Sequence, residues 1–349
     1  MRKLLSALIL TAFVFVSGAE ASPWTLPQGK VIFGTNFNHQ SANSEFFDNG
    51  AARVFPLRGK YDSAGLSVFA RIGFTDRIEF DVSLPFSVVS YQSDPVLLLE
   101  QPIDSELSSL DYYQENVIEL NRTVVGVGDM RLATRFKWFL NPFAMATELK
   151  LKSPTGYRAP SGTFGDRPTS IESFTSDLGR FVRPENVQDD VTLGDGQLDL
   201  ALSMLFGHAY RSGTFVRANL GYNLRLANVG DQALGMLKIG QKLGKSILVY
   251  ASADMAYATQ KGRVIGISVA ATDPNLLARD YGGTTNLLLR EVRLNPSYLD
   301  LGAGAIFRFG RAVEFSASYF RRTWGVNTAA TNSFNFSVAV MRDIPGFGD

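Results

Sequence analysis

Cysteine is absent from the 349 residues, and histidine occurs only at His39 and His208. Without a thiol the chain has no disulfide framework, no thiolate metal site and no cysteine nucleophile. Two histidines leave little for a metal centre or for acid–base chemistry, so neither metal nor cofactor is expected. Charge of one sign is also missing: 34 Lys and Arg stand against 33 Asp and Glu, which gives no basic field for nucleic acid. The third absence is a long apolar run. Beyond residue 21 no stretch of about 18 apolar residues occurs, so no transmembrane helix is expected.

The N-terminus has the pattern of an export signal. Arg2 and Lys3 precede a mostly apolar core, "LLSALILTAFVFV" (Leu4 to Val16), and "AEA" (Ala19 to Ala21) supplies the small residues of a cleavage site. The core is short for a span of about 20 residues, which favours cleavage after Ala21 over a membrane anchor. Removing residues 1–21 leaves a single expected domain, 22–349, with balanced charge. An exported chain without a transmembrane helix is either soluble or a barrel.

What the chain does have is alternation. Aromatics make up 12%, glycine numbers 32 and mean hydropathy is near zero, a balance that suits many short amphipathic strands. In "RIEFDVSLPFSVV" (Arg77 to Val89) Ile78, Phe80, Val82, Leu84, Phe86 and Val88 alternate with a face that begins Arg77, Glu79, Asp81, Ser83. Period two over this length is a strand with one apolar and one polar face. The pattern returns in 197–207, 214–226, 298–309 and 333–341.

Turn residues sort the connections into two sets. Tight turns fall at Thr75-Asp76, Asn141-Pro142, Arg211-Ser212-Gly213, Gly244-Lys245 and Gly310-Arg311. Between them lie the connections 39–60, 92–123, 154–195, 227–232, 261–296 and 325–332, four of them long and polar. Twelve strands result, with every short turn succeeded by a loop of the other set and both chain ends on the short-turn side. That asymmetry belongs to outer-membrane barrels. The expected fold is an all-β, antiparallel, up-and-down transmembrane barrel of about twelve strands in a bacterial outer membrane. Outer-membrane lipid and lipopolysaccharide are then its surroundings. A soluble sandwich fits less well, because its strands average 5–6 residues and its loops need not gather on one side.

"GVGDMRLATRFKWF" (Gly126 to Phe139) contains a G-x-G and raises the question of a nucleotide loop. A dinucleotide fingerprint needs a third glycine and a helix directly after it. Arg131 holds the third position, and the residues after it alternate as a strand. A second copy, "GDGQLDLALSMLF", starts at Gly194. Gly126, Gly128, Gly194 and Gly196 are therefore expected at the barrel rim, where small residues let the backbone bend.

By parity a set of charges falls on polar, lumen-facing positions: Glu79, Asp81, Asp129, Arg131, Arg135, Lys137, Glu148, Lys150, Asp199, Arg217, Arg225, Asp254, Asp300, Arg308, Glu314 and Arg322. Mixed signs suit either a self-paired, solvated interior or a constriction that tunes selectivity. Two triple-leucine runs, "PVLLLEQP" (Pro95–Pro102) and "NLLLREV" (Asn286–Val292), suggest either an apolar mouth for apolar cargo or ordinary packing of the loops on each other. Two alternatives stay open. His39 and Ser41 share a strand face in the His-x-Ser order of outer-membrane lipases, which admits a lipid hydrolase; and a closed barrel would leave its surface loops to act as an adhesin or receptor.

"WTLPQGK" (Trp24–Lys30), "GFTDRIEFDVSLPF" (Gly73–Phe86) and the stretch from Gly126 to Lys137 resemble an outer-membrane barrel family associated with aromatic degradation, the MetA pathway of phenol degradation type. That family is distantly related to long-chain fatty-acid transporters. The resemblance runs from about residue 24 to 341 and implies a passive channel, not an enzyme, for small hydrophobic or aromatic molecules. Two features depart from the fatty-acid transporters, which have 14 strands and an N-terminal hatch: twelve strands are counted here, and only residues 22–29 precede strand one.

Overall fold

A computed structural model describes residues 22–47, 49–94, 121–160, 191–226, 229–271, 288–310 and 312–345, with 96–97, 117–118 and short pieces between 162 and 177. The expected export signal, 1–21, lies outside the described residues, as does most of the run Pro95–Pro102.

The chain is a closed antiparallel barrel of 12 strands. They are β1 (Lys30–Ala42), β2 (Lys60–Gly73), β3 (Ile78–Gln92), β4 (in two pieces, Arg122–Val127 and Met130–Phe139), β5 (Ala144–Ser153) and β6 (Leu198–Ala209). The second half comprises β7 (Thr214–Leu226), β8 (Gln232–Leu243), β9 (Ile247–Ala258), β10 (Ser297–Phe309), β11 (Val313–Val326) and β12 (Asn332–Asp343). Each strand pairs with its sequence neighbours, and β12 closes on β1 from Lys30↔Asp343 to Ser41↔Asn332. The expected strand number and topology hold. β1 runs three residues beyond His39, so His39 and Ser41 lie within the strand.

Alternation fixes which face is which. Phe33, Phe37, Leu66, Val68, Leu220 and Phe336 stand exposed on the outer surface, whereas Glu79, Arg135, Glu148 and Arg217 are buried inside. In water this would be an inverted protein. In lipid it is the stable arrangement, because hydrocarbon covers the apolar face and the closed ladder leaves no unpaired edge. Near the short turns the outer face carries edge-on aromatic pairs: Phe74–Phe80 (5.7 Å), Phe136–Trp138 (4.8 Å), Phe139–Phe143 (5.1 Å) and Phe309–Phe315 (5.4 Å). Such a girdle marks a membrane–water interface.

The G-x-G-D stretch is a β-bulge. Phe86 faces Val127 and Ser83 faces Arg131, so two residues of β3 oppose three of β4. The extra residue flips the parity of the strand. Gly126 and Gly128 point inward above the bulge, and Asp129, Arg131, Ala133 and Arg135 do so below it. Thr155 Oγ1 donates to the carbonyls of Val127 (2.8 Å) and Gly128 (3.1 Å), satisfying backbone that the bulge takes out of the ladder.

The long loops carry small structures that alternation did not announce. Ser44–Phe46 pairs with Ala52–Val54 and Thr328–Ala329, and Val264–Ala271 pairs with Leu288–Arg293. A short helix, α1 (Ile171–Ser176), starts at Ser170, whose hydroxyl accepts from Ser173 N. Part of the second leucine run, Leu288 and Leu289, thus belongs to a hairpin.

Because β7 crosses the membrane with Leu220 outward and 62% exposed, Leu220→Arg is expected to destabilise the barrel by about 2–4 kcal/mol if the residue lies at the bilayer midplane. Denaturant unfolding in lipid vesicles measures this, and Leu220→Ala serves as the uncharged control.

Candidate functional site

The turn-side half of the lumen is packed. Residues 22–27 enter it from below: Thr25 and Leu26 are 1% exposed, and Leu26 packs on Ile32, Phe69, Ala339 and Met341. Two inward glycines make room. A Cβ at Gly207 would stand 2.6 Å from Trp24 Cη2, and one at Gly73 would run into the Pro27 carbonyl. The Leu26 amide donates to Glu79 Oε2 at 2.7 Å, which ties this short plug to the charged layer above it. Residues 22–27 thus pack into the turn-side end of the lumen.

Above the plug, Arg135 lies between carboxylates. It is hydrogen-bonded to Glu79 and donates to Glu148 at 2.6 Å, with Asp81 at 3.5 Å. Asp81 also accepts from Arg71 at 2.7 Å, and Lys150 reaches Glu148 at 3.2 Å. Five of the parity-predicted charges therefore form one network. Arg71 is a sixth member; its end of β2, "LSVFARIG" (Leu66–Gly73), holds no other charge and so gave no alternation of charge to flag it. A buried cluster of this kind is held by mutual pairing; removing one partner leaves uncompensated charge.

The other predicted charges fall into smaller groups. Arg322 grips Asp300 with two nitrogens (2.8 and 3.0 Å) and lies 4.3 Å from the centre of the Tyr298 ring. Arg308 donates to Glu314 at 3.0 Å. Arg217 faces Lys238 across β7 and β8, and the Lys238 ammonium stands 4.2 Å from the Tyr250 ring centre. Asp254 accepts from Ser252 at 2.9 Å. Lys137 sits at the turn end, where its amide bonds the Arg77 carbonyl at 2.8 Å. Arg131 is exposed within the lumen.

Towards the long loops a second network closes the strands. Lys152 donates to Asp195 (2.6 Å), with Asp199 at 2.7 Å and Asp129 at 3.6 Å. Arg225 also bonds Asp195 and reaches Asp199 at 3.5 Å. Tyr157 donates to Asp129 and accepts from the Gly196 amide at 2.8 Å. Burial, reinforced by the Asp129 carboxylate, pushes the Tyr157 phenol well above its ordinary pKa, so it stays a donor. The rim glycines serve this closure. A Cβ at Gly194 would approach Asp129 Oδ2 to 2.7 Å, and Gly196 holds φ of +68°. The two G-x-G copies thus meet each other. Asp195, which links them, lies in a loop outside any strand parity, whereas Lys152 shares the inward parity of Glu148 and Lys150 and was within its reach.

Resting on this network is a cavity of about 520 Å³ that opens among the long loops. Phe55, Leu57, Tyr61, Val89, Tyr91 and Leu193 line it, with Glu45, Asp195, Glu291 and Arg293 as its charged residues. Phe55 and Tyr91 meet edge to face at 5.7 Å. Leu57, only 2% exposed, is held there by left-handed backbone (φ 56°), an uncommon state for a residue with a side chain. Small-ligand sites have this volume and this mixture of apolar wall with few polar groups. The sequence announces the cavity only as an apolar mouth, and most of its apolar wall comes from residues outside the leucine runs.

His39 and Ser41 do not form a nucleophile–base pair. Both lie on the outer face near the rim, where His39 Nε2 stands 3.3 Å from Asp62 Oδ1. No hydrogen bond joins His39 to Ser41 among the described residues. His208 stacks edge-on with Tyr210 (4.4 Å) at the turn-side girdle.

In three dimensions the chain is similar to outer-membrane barrels. The COG4313 outer membrane channel from Pseudomonas putida F1 matches with a TM-score of 0.59 at 13% identity, over 94% of this chain and 100% of that one. This chain has the fold of an outer-membrane channel. Lower scores are given by the TodX monoaromatic hydrocarbon channel (deltaS2 mutant; 0.44, 9% identity, 92% of each chain) and by the translocator domain of autotransporter NalP from Neisseria meningitidis (0.40, 11%, 97% and 94%). No family model and no curated protein matches the sequence. A closed barrel with an apolar belt and an aromatic girdle is the architecture of a bacterial outer-membrane protein.

Arg135→Ala takes the guanidinium away from Glu79, Asp81 and Glu148, leaving, among the described residues, Glu148 with Lys150 alone and Glu79 with only the Leu26 amide, and should cost about 3–5 kcal/mol in denaturant unfolding. A variant lacking residues 23–26 opens the turn-side end, and its single-channel conductance in planar bilayers should rise several-fold. Unchanged conductance would place the closure elsewhere.

Proposed function

We propose that the protein is a passive outer-membrane channel that takes up small hydrophobic or aromatic molecules. The observation that carries this reading is the apolar, aromatic-lined cavity of about 520 Å³ at the loop end of the barrel. A molecule in this cavity meets Phe55, Tyr61 and Tyr91 together with the Glu291–Arg293 ion pair of the same wall. Burial of apolar surface there favours capture at about 25 cal/mol per Å². Capture of this kind needs no energy source, so net movement runs down the concentration gradient. The sequence resemblance to barrels of aromatic degradation points to the same cargo. The reading assigns no catalytic residue, and the His39–Ser41 hydrolase has no geometric support.

Vesicles with a lipopolysaccharide outer leaflet and carrying the protein should take up an aromatic probe faster than protein-free vesicles. Val89→Asp, which sets a carboxylate into the apolar wall, should reduce that rate several-fold. Equal rates with and without protein would sink the transport reading.

A further inference from the structure

The loop-side rim carries a second, open recess of about 570 Å³, which shares only Tyr91 with the cavity. Its charged lining is mostly cationic: Arg58, Lys60 and Arg122 stand with one carboxylate, Asp94. Arg58 Nε donates to Asp94 Oδ2 at 2.6 Å, so these two compensate each other. Lys60 is exposed and makes no ion pair or hydrogen bond with another of the described residues. The Gln92 amide and the hydroxyls of Ser90 and Thr123, which stand 3.0 Å apart, add neutral donors to the wall.

Strand register sets this recess against the membrane. Lys60 pairs with Gln92, and Ser90 pairs with Thr123. By parity these four share the outer face with Leu66, Val88 and Val125, apolar residues exposed on the same strands. Val88 and Val125 pair with each other one outward step below Ser90 and Thr123. The positive charge therefore begins where the apolar belt ends, on the side of the long loops and so at the outer leaflet. Other parts of the outer rim differ. Near β7 and β8, Tyr222 and Gln260 donate to the Asp231 carboxylate at 3.3 and 3.2 Å, and on β1 His39 faces Asp62. An occupant that fits combines an anionic head for the recess with apolar chains for the strand face beneath it. Phosphate accepts strong hydrogen bonds from ammonium and guanidinium groups, and basic residues at a membrane surface attract anionic lipid.

We propose that this recess binds a phosphate group of lipopolysaccharide, whose acyl chains lie along Leu66, Val88 and Val125. Lys60 supplies the uncompensated charge. The site is distinct from the cavity and does not depend on the cargo reading.

For the test, the full-length protein in detergent is titrated with bisphosphorylated lipid A and with the same lipid stripped of its phosphates, and native mass spectrometry counts the bound lipid. The wild type should bind the phosphorylated form about tenfold more tightly, the scale of one charge-assisted contact. Lys60→Gln should lower that preference about fivefold, the share of one basic residue at a membrane surface. Lys60→Glu should abolish it and Lys60→Arg should keep it. Lys245→Glu, which reverses a charge at a short turn on the other side of the membrane, should leave it unchanged. Millimolar inorganic phosphate should not displace lipid A, because it lacks the chains. Equal binding of the two lipids by the wild type, a preference that survives Lys60→Glu, or an equal loss in Lys245→Glu overturns the proposal. Displacement by inorganic phosphate overturns it too, since the recess is then a site for the free anion. Lys60 is exposed and unpaired among the described residues, so its replacement leaves folding intact, and heat-modified mobility on gels checks this.

Discussion

A chain that crosses hydrocarbon as strands must satisfy every backbone amide and carbonyl within its own sheet, because lipid offers no partner. The rest of this protein's architecture depends on that constraint. The sheet has to close, and it does so where β12 meets β1 over twelve paired positions. Closure turns one face of each strand to lipid and the other to a shared interior. The side-chain period of two then becomes an inside and an outside.

Twelve strands enclose a narrow interior. Charged side chains on the inner face cannot all reach bulk water, and they compensate one another instead. Arg135 with Glu79, Asp81 and Glu148 is the deepest case, and Lys152 and Arg225 with Asp195 and Asp199 form the upper one. The two layers divide the lumen. Below the first, residues 22–27 pack into the turn-side end. Above the second, the loops leave an apolar cavity. A barrel of porin size would keep a water-filled lumen and need neither device.

The G-x-G-D stretch shows how local sequence and global fold interact. As a linear motif it suggests a phosphate loop, and the alternation after it rejects that. Its actual role is a bulge that reverses the parity of β4 and sets Asp129 against Tyr157 and Gly194. Glycine is needed at Gly194 because the second copy of the motif packs against the first, a contact between segments that are far apart in sequence. Arg71, Lys238 and Asp195 escaped the sequence analysis for a related reason. Each gains meaning only from the strand beside it.

The sequence by itself determined the strand number, the antiparallel order, the faces of the strands and the side of the long loops. These depend on period-two patterning and turn chemistry, which are local. Only the tertiary structure decided which charges pair, that residues 22–27 fill the turn-side end, and that the loops frame a cavity around Leu57 and Val89. Those outcomes rest on register, bulges and the curvature of a closed sheet. These bring together residues with no spacing in common, and a linear pattern carries no record of them.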